Sequence, residues 1–443
     1  MASQGRVSNS NLWLWATWWV GAVTFPVASR LLPRDNLPIP ALHHHALELM
    51  LVWMVAFALM AFAMWRLRHV GLKAMLVVQL VGGAIVASSL AMPSLDVYAY
   101  LGYGDMLLHG ENPWQPPLLP LRSPLVEADV IVWGNPPSAS AYGPTFVAFQ
   151  AAIVGMFSKL PVWVLVYLDR GVSLLAAVGV TALLRGPRIR FWALNPFVLY
   201  NFGLEAHNDV LFLFLIACSL RVRSAVVAGV AIGIASGIKF VAIAAVAYRK
   251  RWVAISGLLT MLLTALLVPH YREVVGALGD TGGQFHHSIS WVIYVSLRRF
   301  QVAETVAKSA TYASVAFLAL LCAIGLRCGK RDAFAVYATL FVLAIPTIWP
   351  WYFAWPLFAA ITTARRKFLV WIVWISLLSF GLEIGQFVIE PPAGELAFDL
   401  AFLVFIVAML FGPTLRAFGE FGVKPNLLRS LSEHPARHVP PQL

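Results

Sequence analysis

Residues 74–100 read AMLVVQLVGGAIVASSLAMPSLDVYAY, and the fold follows from how that stretch is read. Residues 74–92 form an apolar run, close to the roughly 20 residues that carry a helix across a bilayer. Arg66, Arg68 and Lys73 precede the run, and Pro93 and Asp96 follow it. A carboxylate where a span leaves the hydrocarbon is costly to hold, so its default reading is functional. The plainer reading, a helix end facing water, weighs less because Asp96 belongs to a longer pattern. Downstream stand His-Gly-Glu-Asn-Pro-Trp at 109–114 and Ala-Tyr-Gly-Pro at 141–144, and Asp105, Glu111, Glu127 and Asp129 crowd into the same segment.

Outward from this stretch the pattern repeats, with runs at 11–29 and 46–65 and others to the end of the chain. The 443 residues are 60% hydrophobic and 12% charged, where soluble chains carry about 25% charge. Mean hydropathy is +0.78. The expected fold is an all-α polytopic integral membrane protein with about 11–13 transmembrane helices. It forms one transmembrane domain over 1–416, with a partly disordered cytoplasmic tail at 417–443. The run at 11–29 has little charge before it and no convincing cleavage site, so it reads as a span and not as a signal peptide.

A net charge of +12 raises the question of nucleic acid. The cations instead sit in short clusters between apolar runs, as topology signals do, and no basic surface with interleaved aromatics exists, so no nucleic-acid partner is expected. Cys218, Cys322 and Cys328 carry no disulfide or zinc spacing. His43–His45 lack cysteine neighbours and have acids only at Asp35 and Glu48, so an interfacial anchor is preferred to a metal site. No cofactor is expected. A divalent cation at the acidic clusters is chemically possible but not predicted.

Placing the basic clusters at 185–190, 221–223, 249–251, 327–331 and 365–367 in the cytoplasm puts both termini on the cytoplasmic side of the membrane. It leaves 30–45, 93–141, 204–208, 269–300 and 389–395 outside. Residues 191–203 and 209–220 are too short for ordinary crossings, which predicts two short helices meeting at a sunken site, since irregular backbone at depth must line a cavity. The crossing patterns of 142–184 and 224–248 stay open, with partial re-entry of 142–158 and a broken pair around Lys239 as the readings considered.

Glu205-Ala-His-Asn-Asp209 is the second constellation. Consecutive polar side chains between apolar runs need water, partners or a ligand, a plain polar turn being the alternative. Two acidic clusters facing one cavity suit general base work, hydroxyl positioning or a cation. Lys239, inside an apolar stretch, is either a snorkelling side chain or a cation for a lipid phosphate. His286, His287, Arg298 and Arg299 fall in an outer loop, where positive groups oppose the orientation rule. An anionic phosphate or plain headgroup anchoring accounts for them. Trp349, Trp351, Tyr352 and Trp355 have the composition of an aromatic belt, and sugar stacking is the second option.

Asp96-Val-Tyr98-Ala-Tyr100, Gly110-Glu111-Asn112-Pro113, Trp133, Tyr142-Gly-Pro144, Asn195-Pro196 and Ala206-His207-Asn208-Asp209 occur in an order that resembles the polyprenyl-phosphate-mannose-dependent α-mannosyltransferases of the glycosyltransferase C superfamily, in particular the actinobacterial α-1,6-mannosyltransferases. The likeness covers roughly residues 93–240. It implies an inverting membrane enzyme with its site on the outer face and Asp96 as general base. It also implies sugar contacts from His207, Asn208 and Asp209. Tyr98, Tyr100, Glu111, Asn112, Tyr142, Glu205, Lys239, His286, His287, Arg298 and Arg299 complete the candidate substrate site. The implied partners are a polyprenyl-phosphate sugar, a glycan or glycolipid acceptor, and membrane lipids. Ala206 stands where the family usually has glycine.

A transporter or flippase without transferase activity is the rival. It would usually show inverted repeats with matching broken helices, whereas here the polar interruptions concentrate between 93 and 300. A polymerase or ligase with one very large outer loop fits less well, because the outer charge is split among several loops.

Overall fold

The structure is a computed structural model. It describes residues 9–31, 46–90, 94–115, 124–125, 139–248, 251–270, 273–274, 289–313, 333–345, 348–364 and 366–388. Among these, every regular element is helical, as expected where apolar runs must satisfy their own backbone polar groups. His43–His45, Glu127, Asp129, Trp133, Gln284, His286, His287, Cys322, Cys328, residues 389–395 and the 417–443 tail lie outside the described residues.

The first three helices, α1 (Asn9–Leu31), α2 (Ala46–Arg66) and α3 (Leu72–Ala87), form a layer in which α1 contacts both others. Trp18 and Trp53 are fully buried there, and each indole N–H donates 3.1 Å to a carbonyl, of Leu194 and Phe25 respectively. Satisfying the single polar atom of a buried indole lets its whole ring serve as packing. Next come α4 (Asp96–Leu108), α5 (Pro144–Phe157) and α6 (Val162–Leu184). α4 crosses α5 so closely that a Cβ at Gly104 would fall 2.6 Å from the Gln150 carbonyl carbon.

Leu47–Arg66 and Val162–Leu184 are long and apolar enough to cross a membrane unaided. Shorter apolar helices accompany them, and the expected 11–13 spans draw on residues outside the described set. Residues 142–184 form a 14-residue helix, a turn and a 23-residue helix. At about 1.5 Å per residue α5 reaches some 21 Å, short of the roughly 30 Å hydrocarbon.

The two short helices expected around residue 205 are present. Pro196–Leu204 and Asp209–Arg221 meet at 114°. Asn195 caps the first by accepting the Phe197 N–H at 3.0 Å, with Pro196 at the first helical position. This helix, α7 (Pro196–Leu199), loosens into a π turn at Tyr200–Leu204, and α8 (Asp209–Arg221) follows. α9 (Ala225–Ile238) stops at Lys239, whose backbone is extended, and a 3-10 segment, Phe240–Tyr248, continues. The helix of 224–248 is thus interrupted at Lys239.

Then come α10 (Arg251–Leu267), α11 (Ile289–Arg299), α12 (Ala333–Ala344), α13 (Ala354–Thr363) and α14 (Arg366–Val388). On α10, Leu258, Leu259, Leu262, Leu263, Leu266 and Leu267 are all exposed. A continuous leucine face of that kind belongs against lipid.

Among the described residues, Arg188, Arg190 and Arg221 lie at one end of the bundle. Arg190 donates to the Leu67 carbonyl at 2.9 Å and Arg188 to the Ala364 carbonyl at 2.6 Å. Arg221 donates to the carbonyls of Leu183 and Leu184 at 2.5 and 2.7 Å. These are cations at helix C-termini, where the macrodipole favours them.

Candidate functional site

The site lies at the other end of α6 and α8, and it begins with a buried brace. Arg170 is 2% exposed on α6, and its Nη1 donates 2.7 Å bonds to the carbonyls of Ala87 and Ser89. It thereby fixes the C-terminal end of α3. The same guanidinium lies within electrostatic reach of Glu205. Glu205 is fully buried and accepts the Ser94 backbone N–H at 3.2 Å. Ser94 Oγ in turn accepts the Asp96 N–H at 3.4 Å. Between them Leu95 takes φ 56°, the left-handed region that a leucine enters at a cost of about 1–2 kcal/mol. Four hydrogen bonds and one strained residue therefore set where α4 begins and where Asp96 points.

Asp96 is 7% exposed. Its Oδ2 accepts from the Tyr100 hydroxyl at 3.2 Å and stands 3.4 Å from His207 Nδ1. That second contact joins two segments over a hundred residues apart in sequence. His207 follows Ala206, which has φ 56°. The imidazole stacks on Trp351 at 3.7 Å and 17°, and Trp351 stacks on Trp349 at 5.1 Å and 7°. Asn208 is 1% exposed, and neither of its amide atoms has a hydrogen-bond partner in the described structure.

Asp209 opens α8 and is fully buried. Lys239 Nζ bonds both its oxygens, at 2.8 and 2.7 Å, and the Trp355 indole donates to Oδ1 at 2.5 Å. The ammonium lies 4.4 Å over the Tyr352 ring and 5.4 Å over Trp355, a cation–π setting. Lys239 is thus held inside the protein as half of a buried ion pair and does not snorkel to the interface.

A backbone contact brings the Tyr142 segment alongside. Gly143 N–H donates to the Ile238 carbonyl at 3.1 Å, and a Cβ on Gly143 would fall 2.4 Å from the Gly237 oxygen. Only glycine permits that approach. It sets Tyr142 beside Lys239, 5.9 Å from ammonium to ring, and within 3.4 Å of the Tyr100 hydroxyl. Five segments therefore meet: 94–100, 142–143, 205–209, 239 and 349–355.

Asp96, Tyr100, Tyr142, Glu205, His207, Asn208, Asp209 and Lys239 are the candidates drawn together. Glu205 faces the Ser94 backbone and Arg170, as a brace for the Asp96 loop. Tyr98 is buried on the side of α4 near Arg170 and Tyr167. Glu111 and Asn112 sit past the far end of α4, with Glu111 exposed and Asn112 Oδ1 accepting the Trp114 N–H at 3.0 Å. At about 1.5 Å per residue the length of α4 separates them from Asp96 by some 20 Å. Arg298 and Arg299 are exposed at the end of α11, where Arg298 donates to the Val302 carbonyl at 3.0 Å. No contact places those four among the cluster's described partners.

Two charged members, Asp169 and Arg170, were not singled out from sequence. Arg170 and its neighbour Asp169 lie in the middle of the apolar run 162–184, both 2% exposed, and Gln150 donates to both Asp169 oxygens at 3.1 and 3.0 Å. Charges inside a span carried the signal that would have found them. Trp351, Tyr352 and Trp355 have belt composition, yet Trp351 is 3% and Trp355 7% exposed, and they face His207, Asp209 and Lys239. Among the described residues no three His, Cys, Asp or Glu side chains stand close enough to hold a metal ion.

Fold and cluster together define an all-α membrane protein built around one buried site that combines a carboxylate, an imidazole and a lysine ion pair. The family model described as alpha-(1->6)-mannopyranosyltransferase, N-terminal domain, matches residues 5–255, more than half of the chain. The chain belongs to this family, the MptA_B family, and is a membrane glycosyltransferase of the mannosyltransferase class. No curated protein and no solved structure matches it. The matched region contains Asp96, Glu205, His207, Asp209 and Lys239, while Trp351, Tyr352 and Trp355 lie beyond it.

Proposed function

We propose that this protein transfers a mannosyl group from a polyprenyl-phosphate donor to a hydroxyl of a glycan or glycolipid acceptor, with inversion. The site opens on the outer face of the plasma membrane, and both termini are cytoplasmic. The observation that carries the reading is the 3.4 Å contact between Asp96 and His207 beside the Asp209–Lys239 pair. It sets an acidic base next to a buried cation.

In this reading Asp96 accepts the proton of the acceptor hydroxyl as that oxygen bonds to the anomeric carbon. The bond from that carbon to the phosphate oxygen breaks, and the phosphate leaves with the electron pair. Tyr100 holds the Asp96 carboxylate by a hydrogen bond, and the His207 imidazole stands against it at 3.4 Å. Lys239, pre-positioned by Asp209 and an aromatic wall, stabilises the departing phosphate without reorganisation at the moment of reaction. The unpartnered amide of Asn208 and the free Nε2 of His207 supply polar contacts for sugar hydroxyls. A sugar on a lipid monophosphate already carries its leaving group, so no nucleotide-binding domain is required. The outer orientation follows from the positive-inside rule, because the arginine-rich end lies about 12 residues of α8, or some 18 Å, from Asp209.

Incubating purified protein with radiolabelled polyprenyl-phosphate sugars and lipid-linked mannan acceptors tests this. Mannosyl transfer from the lipid phosphate is expected. Movement of lipid across the bilayer with no transfer, or transfer only from a nucleotide sugar, would overturn it.

A further inference from the structure

A separate cavity of about 360 Å³ opens at the arginine-rich end, remote from Asp96. Arg185, Arg188 and Arg221 stand around it, and Ile216, Ile232 and Phe334 form apolar wall behind them. Ser219, Thr362 and Thr363 add hydroxyls, and none of the described lining residues is acidic. The guanidiniums are already anchored: Arg185 to the Ala182 carbonyl at 3.1 Å, Arg188 to Ala364, and Arg221 to Leu183 and Leu184.

Those bonds account for where the arginines sit, and among the described residues no carboxylate pairs with them. Three helix C-termini, of α6, α8 and α13, offer about half a negative charge each, set against three full positive charges. A guanidinium carries five donors, so each keeps N–H groups beyond its carbonyl bonds. A cluster of fixed, pre-oriented guanidiniums suits a phosphate. The wall behind it suits hydrocarbon, which free phosphate lacks. The rim of a membrane bundle is also where lipid headgroups are within reach.

We propose that this cavity binds an anionic membrane phospholipid, with its phosphate among Arg185, Arg188 and Arg221 and the upper part of its chains against the Ile216–Phe334 wall. The site is distinct from the donor site and does not depend on the transfer chemistry. Its wall is shared with a 40 Å³ slot that also touches Ile216, Ala245 and Phe334 and runs to Trp355 beneath Asp209.

The test uses the full chain in phosphatidylcholine nanodiscs, titrated with phosphatidylglycerol and followed by native mass spectrometry and thermal melting. Wild-type protein should retain phosphatidylglycerol in preference to phosphatidylcholine, and inorganic phosphate should not displace it. The double substitution Arg185→Gln/Arg221→Gln keeps a donor at each position and should weaken retention about 30-fold, or about 2 kcal/mol at 1.4 kcal/mol per tenfold. Leu220→Trp leaves every arginine in place and fills the cavity; it should also abolish the preference, and it decides the matter if the double variant does not fold. Equal retention of both lipids, unchanged binding in Leu220→Trp, or displacement by inorganic phosphate alone would overturn the proposal.

Discussion

The two ends of α6 and α8 hold charge in different ways. At the arginine-rich end each guanidinium is exposed or half-buried and donates to a backbone carbonyl at a helix terminus. Every such bond is local bracing, and water or headgroups take up the remaining charge. At the Asp96 end the ionisable groups are buried and pair with one another's side chains, and Asn208 is left with no hydrogen-bond partner in the described structure. Charge of the first kind needs only a helix to end. Charge of the second kind is expensive in a membrane bundle, and a site accounts for that expense better than stability does.

Substitutions at the two ends should therefore separate by orders of magnitude. Asp96→Asn preserves shape and removes the base, so transfer should fall by about 10²–10⁴-fold while donor binding is retained; steady-state kinetics alongside a donor-binding assay reads both. Asp209→Asn leaves the Lys239 ammonium buried without its counter-charge and should destabilise the fold by about 3–5 kcal/mol, measured by thermal melting in detergent. A variant that melts like wild type would show that the ion pair is not a fixed element of the fold. Ala206→Gly relieves the left-handed backbone at φ 56° and should stabilise by about 0.5–1 kcal/mol with transfer preserved. Arg190→Gln, at the other end, should change stability by no more than about 1 kcal/mol and leave turnover intact. A large loss of activity there would erase the contrast between the ends.

Much of this was legible in the chain. The apolar runs announced a helical membrane bundle, because nothing else accommodates 60% hydrophobic residues with 12% charge. The break at 205–209 and the interruption at Lys239 were visible because polar residues cannot continue an apolar span without a partner. The partners were less legible. Trp351 lies 144 residues beyond His207, and no local pattern announces that stacking contact, so belt composition gave it the wrong orientation. Glu111 and Asn112 share a motif segment with Asp96, but a rigid 13-residue helix carries them away from it. Arg170 was readable in principle. A carboxylate and a guanidinium side by side within the 162–184 run have few explanations, and for Arg170 the structure supplies one, a brace for the loop that carries Asp96.

The central claim is that Asp96 and His207, brought together from distant segments, act as one unit. A double-mutant cycle on transfer, using Asp96→Asn, His207→Gln and the combination, measures that coupling directly. Groups that work as a unit are strongly non-additive, so kcat/KM of the double variant should lie within about threefold of Asp96→Asn alone. Losses that multiply through the full cycle would mean that the two residues act independently, and the proposed arrangement of the base would be wrong.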